Sequence, residues 1–207
     1  KEQYAEWLEK LQQYLNEARR KGVVVPEAEN VPEQFLLGMG GQSIESAASL
    51  GLSFVYGVFP YIPQDPVELA KSLSEKYRSN FKAGTHSKPS NFVLAVFVVI
   101  ADTSEEAEEM AKPLDLWMLG KQDFTEFHTF PTQKDVEEYE FTQRDREKIV
   151  SNRSRLIVGN PREVYEQMEA LRAVSNPDEL LFIPLVGSIE KRKRSVELLA
   201  ELYKGER

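Results

Sequence analysis

The feature that most constrains the fold of this chain is an uninterrupted apolar stretch from Phe92 to Ala101. This stretch is too short to cross a lipid bilayer, and its many branched side chains disfavour a helix. It therefore predicts a buried β-strand. Shorter apolar stretches predict three further strands, at residues 35–38, 52–59 and 180–185.

Helical signals separate these strands along the whole chain. Capping side chains open the predicted helices at Asp65, Thr103, Thr142, Asn160 and Ser188. Because neighbouring parallel strands cannot be joined by tight turns, the alternation predicts an α/β fold with a parallel sheet and right-handed crossovers. Four strand–helix units make up half of an eight-stranded (β/α)8 barrel, and a complete barrel usually needs about 250 residues. We expect residues 1–207 to form one domain of this kind.

The chain opens inside an amphipathic pattern. Apolar residues recur at helical spacing at Tyr4, Trp7, Leu8, Leu11, Leu15 and Ala18, and this helix is expected to stop near Gly22. The first residue is Lys1, and neither an initiating methionine nor a signal peptide precedes the pattern. We therefore expect the sequence to continue a longer polypeptide whose amino-terminal half supplies the rest of the barrel.

Composition narrows the classes of function. The chain has 26 Lys and Arg against 34 Asp and Glu, a net charge of −8, which disfavours general binding to nucleic acid or anionic membranes. It has no cysteine, and its two histidines, His86 and His128, lie far apart, so their spacing predicts no metal site. With no spanning segment, we expect a cytoplasmic protein.

Residues 114–141 do not follow the alternation of apolar strands and amphipathic helices. Aromatic, threonine and acidic residues alternate there without a sustained helical or strand period, and only short helices are expected. His128 stands among Phe124, Phe127 and Phe130. A segment of this kind after the third strand is a candidate lid over a site at the carboxyl end of the sheet.

The best candidate for a binding site is the glycine-rich turn from Gly38 to Ser43. Glycines let the backbone approach an anion, the first N–H groups of the following helix point at it, and the Ser43 hydroxyl could add a donor. The glycine spacing differs from a dinucleotide fingerprint, and no lysine follows as in a P-loop. The alternative is a tight strand-to-helix turn in which Ser43 is only the N-cap.

Other polar residues carry weaker signals. Asp65 and Asp102 follow strands, but both also stand at helix starts, so capping is the expected role of each. The basic run from Lys191 to Arg194 lies in an amphipathic helix and is expected to be a solvated face, as is the acidic run from Glu105 to Glu109.

Four stretches, taken in order, resemble the bacterial-luciferase-like monooxygenases. The first is residues 35–54, where a strand ending in glycine meets a helix with Ala-Ala and a Gly-Leu stop. The others are residues 98–107, residues 115–117, and residues 158–164 with 178–182. Each stretch is loose alone, and the resemblance rests on their shared order over nearly the whole chain.

The resemblance implies a (β/α)8 barrel that binds a reduced flavin, FMN or a deazaflavin, and reacts it with oxygen to oxidise a small organic substrate. This chain would supply strands five to eight, and the flavin phosphate would lie against Met39, Gly40, Gly41, Gln42 and Ser43. The family often has a serine pair and a proline in this turn, where this chain has Met39, Gly40 and Gly41. Fewer side-chain donors remain as a result.

Further expectations follow from the same likeness. We expect a bacterial protein that forms a dimer, with a flavin reductase as a possible partner. The catalytic groups would lie mostly on the first half of the barrel, so no catalytic residue is assigned to this chain. Two alternatives stay open at this point: a flavin-binding homologue without turnover, and an unrelated barrel that binds a phosphate ligand.

Overall fold

The computed structural model of the chain describes residues 2–21, 32–59, 65–83, 89–121 and 127–204. Helices and strands alternate in these ranges, as predicted, except that three helices follow one another between residues 104 and 153. The helices are α1 Glu2–Lys21, α2 Gln42–Leu50, α3 Pro66–Asn80, α4 Ser104–Trp117, α5 Gln133–Glu138, α6 Gln143–Arg153, α7 Pro161–Ser175 and α8 Ile189–Leu202. The strands are β1 Phe35–Gly38, β2 Ser53–Val58, β3 Phe92–Ile100, β4 Leu156–Gly159 and β5 Glu179–Pro184.

All five described strands run parallel in one sheet, with β3 at its centre. The first half of β3 pairs with β2, its second half pairs with β4, and β5 pairs along Val93 to Val98. The β3 residues that pair with β5 include some that pair with β2 and some that pair with β4. Because a strand has only two edges, β5 must lie on one edge of β3, and β2 and β4 must lie one after the other on the opposite edge. The other edge of β3 belongs to β5. The sheet is open and parallel, and β1 extends it beyond β2.

The sequence predicted four strands, and the structure has a fifth. Leu156–Gly159 forms β4 through pairing with the end of β3, from Phe97↔Leu156 to Ile100↔Gly159. A run of four residues has too little periodicity to be assigned by itself. Its strand character depends on hydrogen bonds to a partner more than fifty residues earlier in the chain, and these bonds are invisible in the local pattern.

The main core lies between one face of the sheet and α2, α3, α7 and α8. Its fully buried side chains include Ile44, Phe54, Tyr56, Tyr77, Leu94 and Met168. The Tyr77 hydroxyl donates to the Leu52 carbonyl at 2.8 Å and accepts from the Asn91 backbone N–H at 3.2 Å. This one side chain therefore joins α3 to the segments that lead into β2 and β3.

A second core lies between the carboxyl-terminal half of β3 and α4. Val99 packs there with Ala107, Leu114 and Met118 of α4 and its final turn. Beside this core, the buried Asp115 carboxylate lies 2.7 Å from Arg153 Nε of α6. Burial is the largest effect on this acid and raises the pKa of Asp115 to about 6, although Arg153 acts in the opposite direction.

The face of the sheet that packs against α4 is less covered by helices beyond this second core. Val55, Val93 and Ala95 form a small buried cluster with Ile183, whereas Leu37 is 57% exposed and Leu181 is 48% exposed. On the opposite face, α1 is attached through Leu8, which packs against the main core, and through Gln12, whose side-chain N–H donates to the Leu50 carbonyl at 2.9 Å.

Candidate functional site

The turn between β1 and α2 is made of glycines in conformations that other residues rarely adopt. Gly40 has φ 119°, and Gly41, the N-cap of α2, has φ 62° and ψ −128°. Both conformations favour glycine because it has no β-carbon to clash. A β-carbon added at Gly41 would meet nothing within 4 Å. The backbone of this turn therefore borders open space in which a ligand could lie.

The side chain of Ser43 lies inside this turn. Its hydroxyl donates to the Gly40 carbonyl at 2.8 Å. The sequence predicted this hydroxyl as a donor to a ligand, but its proton is already donated within the turn. The alternative prediction that Ser43 is the N-cap of α2 is wrong, because the two glycines turn the chain early enough for Gly41 to take that position.

At its amino end, α2 differs from the later helices. In each of α3 to α8 a side chain accepts a hydrogen bond from a first-turn N–H group, namely Asp65, Thr103, Thr132, Thr142, Asn160 and Ser188. No side chain of the described residues caps α2 in this way. Because first-turn N–H groups carry partial positive charge, this helix end favours an anion.

Helix α3 contributes a charge and a packing contact next to this turn. Glu45 is the acidic residue in the first turn of α2, and its carboxylate pairs with Lys76 of α3 at 2.6 Å. This pairing offsets the negative charge next to the helix end. Leu73 of α3 lies under Gly40, with its Cδ2 atom 3.3 Å from the position of an added β-carbon. The neighbouring helix α3 thus supports the turn from below.

The two aspartates that follow strands have different roles. Asp65 caps α3 as predicted, accepting from the N–H groups of Val67 and Glu68 at 2.9 and 3.0 Å. The expected capping role of Asp102 is wrong, because Thr103 caps α4. Asp102 instead accepts two hydrogen bonds from Arg194 of α8, at 2.6 and 3.1 Å, and these bonds lower the pKa of Asp102.

The basic run at the start of α8 is exposed, as expected for a solvated face, but most of it is engaged. Lys191 pairs with Glu106, Arg194 pairs with Asp102, and Arg192 donates to the Val186 carbonyl at 2.8 Å. These contacts tie α8 to α4 and to the loop after β5. They leave little of the run for a ligand anion.

A polar network that the sequence did not predict joins the amino ends of α4 and α7. The Ser104 hydroxyl donates to Glu163 at 2.8 Å and accepts from the Asn160 amide at 2.8 Å. Asn160 and Glu163 form the predicted capping box of α7. Hydrogen bonds from Asn160 and Ser104 lower the pKa of Glu163. This network closes the amino end of α7, so it offers no competing anion site.

The sequence profile of the family described as luciferase-like monooxygenase matches residues 3–175. The chain belongs to that family. Two relatives are from Bacillus subtilis (strain 168): protein YceB is 31% identical over 172 residues, and N-acetyl-S-alkylcysteine monooxygenase is 27% identical over 177 residues. The two alignments cover 83% and 85% of this chain, and 50% and 51% of those relatives.

Two solved structures share the fold of this chain. The apo structure of MsnO8 matches 99% of this chain and 60% of its own chain, with TM-score 0.78 and 24% identity. The coenzyme F420-dependent tetrahydromethanopterin reductase from Methanopyrus kandleri matches 81% of this chain and 48% of its own, with TM-score 0.50 and 12% identity. The predicted family and fold class are confirmed. The hypothesis of an unrelated phosphate-binding barrel is therefore wrong.

The predicted lid of this luciferase-like chain, residues 114–141, begins as part of the core. Leu114 lies in α4 and is fully buried, and Met118 follows α4 with 1% exposure. Further along, Phe130 is half-buried, with its ring centroid 6.1 Å from that of Trp117, while His128 is exposed. Phe124 lies outside the described residues. A lid role therefore stays a prediction, and it concerns the part after α4.

Two further observations bear on the remaining predictions. His86 lies outside the described residues, and among those described no group of three or more histidines and acids could hold a metal ion. No helix in the described ranges is long and apolar enough to cross a membrane.

Proposed function

We propose that this luciferase-like chain binds the phosphate of reduced FMN at the turn from Met39 to Ser43, and that the protein uses the flavin and oxygen to oxidise a small organic substrate. The observation that carries the proposal is the amino end of α2, the one helix among α2 to α8 without a side-chain cap. It lies at the carboxyl end of β1, where ligands of parallel α/β folds bind.

The residues present fit a phosphate group. Gly40 and Gly41 bring backbone close to open space, and the helix dipole adds partial positive charge at the same point. The backbone N–H groups of Gln42 and Ser43 would hold the phosphate oxygens. Because the Ser43 hydroxyl already donates to Gly40, its role in this proposal is to fix the shape of the turn.

Relatives support the flavin and the reaction class. N-acetyl-S-alkylcysteine monooxygenase is by its name an oxygenating enzyme, and the reductase that shares the fold depends on coenzyme F420, a deazaflavin. A reduced flavin supplies the electrons for oxygen insertion when it is bound. This chain holds the cofactor by its phosphate, whereas the substrate and a flavin reductase are partners of the whole protein.

The test removes one backbone donor without disturbing the helix. Gln42 is the first residue of α2, a position at which proline is well tolerated but has no N–H group. We expect Gln42→Pro to weaken FMN by about 10-fold to 100-fold, since a hydrogen bond to a charged group contributes about 1.5–3 kcal/mol. Riboflavin, which lacks the phosphate, should bind weakly and equally to both proteins.

Gln143 provides a matched control, because it is the first residue of α6, whose amino end Thr142 caps. Gln143→Pro should leave FMN affinity unchanged. Isothermal titration of both ligands into the three proteins gives the result. Equal affinity of the unaltered protein for FMN and riboflavin, or equal weakening of both ligands by Gln42→Pro, would overturn the proposal.

A further inference from the structure

Helix α6 packs against α4 through polar side chains. The buried residues of α6 are Asp145 and Asn152, whereas the next helix, α7, buries the apolar residues Val164, Met168 and Leu171. Burial of an apolar face is what usually holds a helix against the rest of a fold. On its buried side, α6 has hydrogen bonds and ion pairs in place of this force.

Two of these hydrogen bonds close the carboxyl end of α4. The Asn152 side-chain N–H group donates to the Met118 carbonyl at 3.0 Å, and the Lys148 ammonium group donates to the Leu119 carbonyl. Both carbonyls follow Trp117, the last residue of α4, where a helix leaves C=O groups without partners in its own backbone. Side chains of α6 thus satisfy the end of a helix that lies earlier in the chain.

Two ion pairs complete the contact between the helices. Arg153 Nε lies 2.7 Å from Asp115 Oδ1, and Lys121 Nζ lies 3.0 Å from Asp145 Oδ1. The attraction within a buried ion pair is largely offset by the hydration that both groups lose. Water also replaces a hydrogen bond when its partners separate, so each bond contributes little net free energy. This interface therefore separates more easily than an apolar one of the same size.

We propose that α6, residues 143–153, is a latch that leaves the carboxyl end of α4 in a local opening while the sheet and α7 stay folded. The opening releases the Met118 and Leu119 carbonyls and exposes Asp115 to water. This inference uses no contact with a flavin, so it is independent of the proposed function.

The charge of Asp115 makes the opening depend on pH. Burial raises the pKa of Asp115 to about 6 from 3.8, and the pKa returns towards its ordinary value when water reaches the carboxyl group. Because the closed state binds the proton more tightly than the open state, the fraction of open molecules rises with pH between these values. The full difference corresponds to a change of about 100-fold in the opening constant, of which about tenfold falls between pH 5 and pH 7.

Few charged groups of the described residues act on Asp115. Arg153 of α6 lowers its pKa, and Glu108 of α4 raises it. Of the other elements that pack against α4, β3 and β4 contain no charged residue, and α5 meets α4 through a hydrogen bond from Gln133 to Glu109. We therefore assign the pH dependence of the opening to Asp115.

The other buried acid of the interface, Asp145, does not change charge in this range. Burial raises its pKa, but hydrogen bonds from Thr142 and Lys121 together bring the pKa below the ordinary value of 3.8. Asp145 is therefore charged in the closed state throughout the range from pH 5 to pH 7.

Hydrogen exchange followed by mass spectrometry tests the latch on the whole chain. Peptides that cover α6 should exchange with an opening constant about tenfold or more above that of α7. After correction for intrinsic exchange, the α6 constant should rise about tenfold between pH 5 and pH 7. Asp115→Asn removes the titrating group and should abolish this rise. Asn152→Ala changes no charge and removes one bond to α4, so it should raise the α6 constant about 2-fold to 10-fold at each pH.

The matched control is Asp178→Asn. Asp178 is also an ion-paired aspartate, 3.0 Å from Arg78, but it lies before β5 and away from α6. This variant should leave the α6 constant unchanged, and circular dichroism of each variant confirms that it folds. The proposal fails if α6 exchanges no faster than α7 in the unaltered chain, or if the rise with pH persists in Asp115→Asn. It also fails if Asp178→Asn changes the α6 constant as much as Asn152→Ala does.

Discussion

Replacing Gly38 with alanine should destabilise the chain, mainly through a close contact with the side chain of Ser43. Gly38 ends β1, and an added β-carbon would lie 2.2 Å from Ser43 Oγ and 2.7 Å from Ser43 Cβ. The hydroxyl could move aside only by giving up its bond to the Gly40 carbonyl. The Ser43 Cβ atom would still be too close after such a movement, and Phe54 Cε2 lies 3.1 Å from the added β-carbon, so the substitution causes a steric clash as well as the loss of this bond.

The magnitude follows from these two effects. Overpacking of a close contact costs about 1–3 kcal/mol, and loss of the Ser43 hydrogen bond costs about 0.5–1.5 kcal/mol. We expect Gly38→Ala to lower the free energy of unfolding by about 1.5–4.5 kcal/mol. Ser43→Gly removes the two closest atoms and leaves Phe54 Cε2 at 3.1 Å, so the double variant Gly38→Ala/Ser43→Gly should be about 1–3 kcal/mol more stable than the sum of the single effects predicts.

Urea unfolding followed by circular dichroism measures these differences. Gly187→Ala is the matched control, because the nearest atom to its added β-carbon is Phe130 Cδ1 at 3.6 Å, an ordinary contact. It should be neutral or stabilising by about 0.4–1 kcal/mol, since alanine restricts the unfolded chain. The reasoning fails if Gly38→Ala and Gly187→Ala have equal effects, or if the effects of Gly38→Ala and Ser43→Gly simply add.

Two further predictions concern buried polar groups. Tyr77→Phe leaves the Leu52 carbonyl and the Asn91 N–H without the hydroxyl that joins them, and should cost about 1–3 kcal/mol in urea unfolding; an unchanged midpoint would contradict this role. Burial raises the pKa of Asp115 to about 6 from 3.8, so the contribution of Asp115 to the free energy of unfolding should fall as pH rises between these values. Asp115→Asn should remove this contribution from the pH dependence of unfolding, although the loss of the charge opposite Arg153 lowers stability overall. If the free energy of unfolding of this variant depends on pH as that of the unaltered chain does, the raised pKa of Asp115 is refuted.

Local sequence signals predicted the parts of the fold that local contacts determine. Thr142 and Asn160 cap their helices because each side chain reaches an N–H group three residues later, and Gly51 ends α2 with a left-handed conformation. The long apolar stretch became β3 because burial on both faces needs no alternation of polar residues.

The missed features depend on distant partners or on backbone conformation. The bond from Ser104 to Glu163 spans 59 residues, and that from Arg194 to Asp102 spans 92 residues, so no local pattern could reveal either bond. Ser43 has the residue type of an N-cap, but the positive φ of Gly41 lets the helix begin one residue before Ser43, whose hydroxyl then donates to the Gly40 carbonyl. The glycine pair itself was the signal for this turn between β1 and α2, whereas its hydrogen bonds had no signal in the sequence and its role as a binding site stays a prediction.

The most direct test of the central claim follows the backbone amides while the ligand is added. In a ¹⁵N-labelled sample of the chain, FMN should shift the amide resonances of Gly41, Gln42 and Ser43 more than those at the amino ends of α4 and α7. Riboflavin, which lacks the phosphate, should leave these three resonances nearly unchanged. Equal shifts with both ligands, or the largest FMN shifts at Thr103 or Asn160, would contradict the assignment of the phosphate to α2.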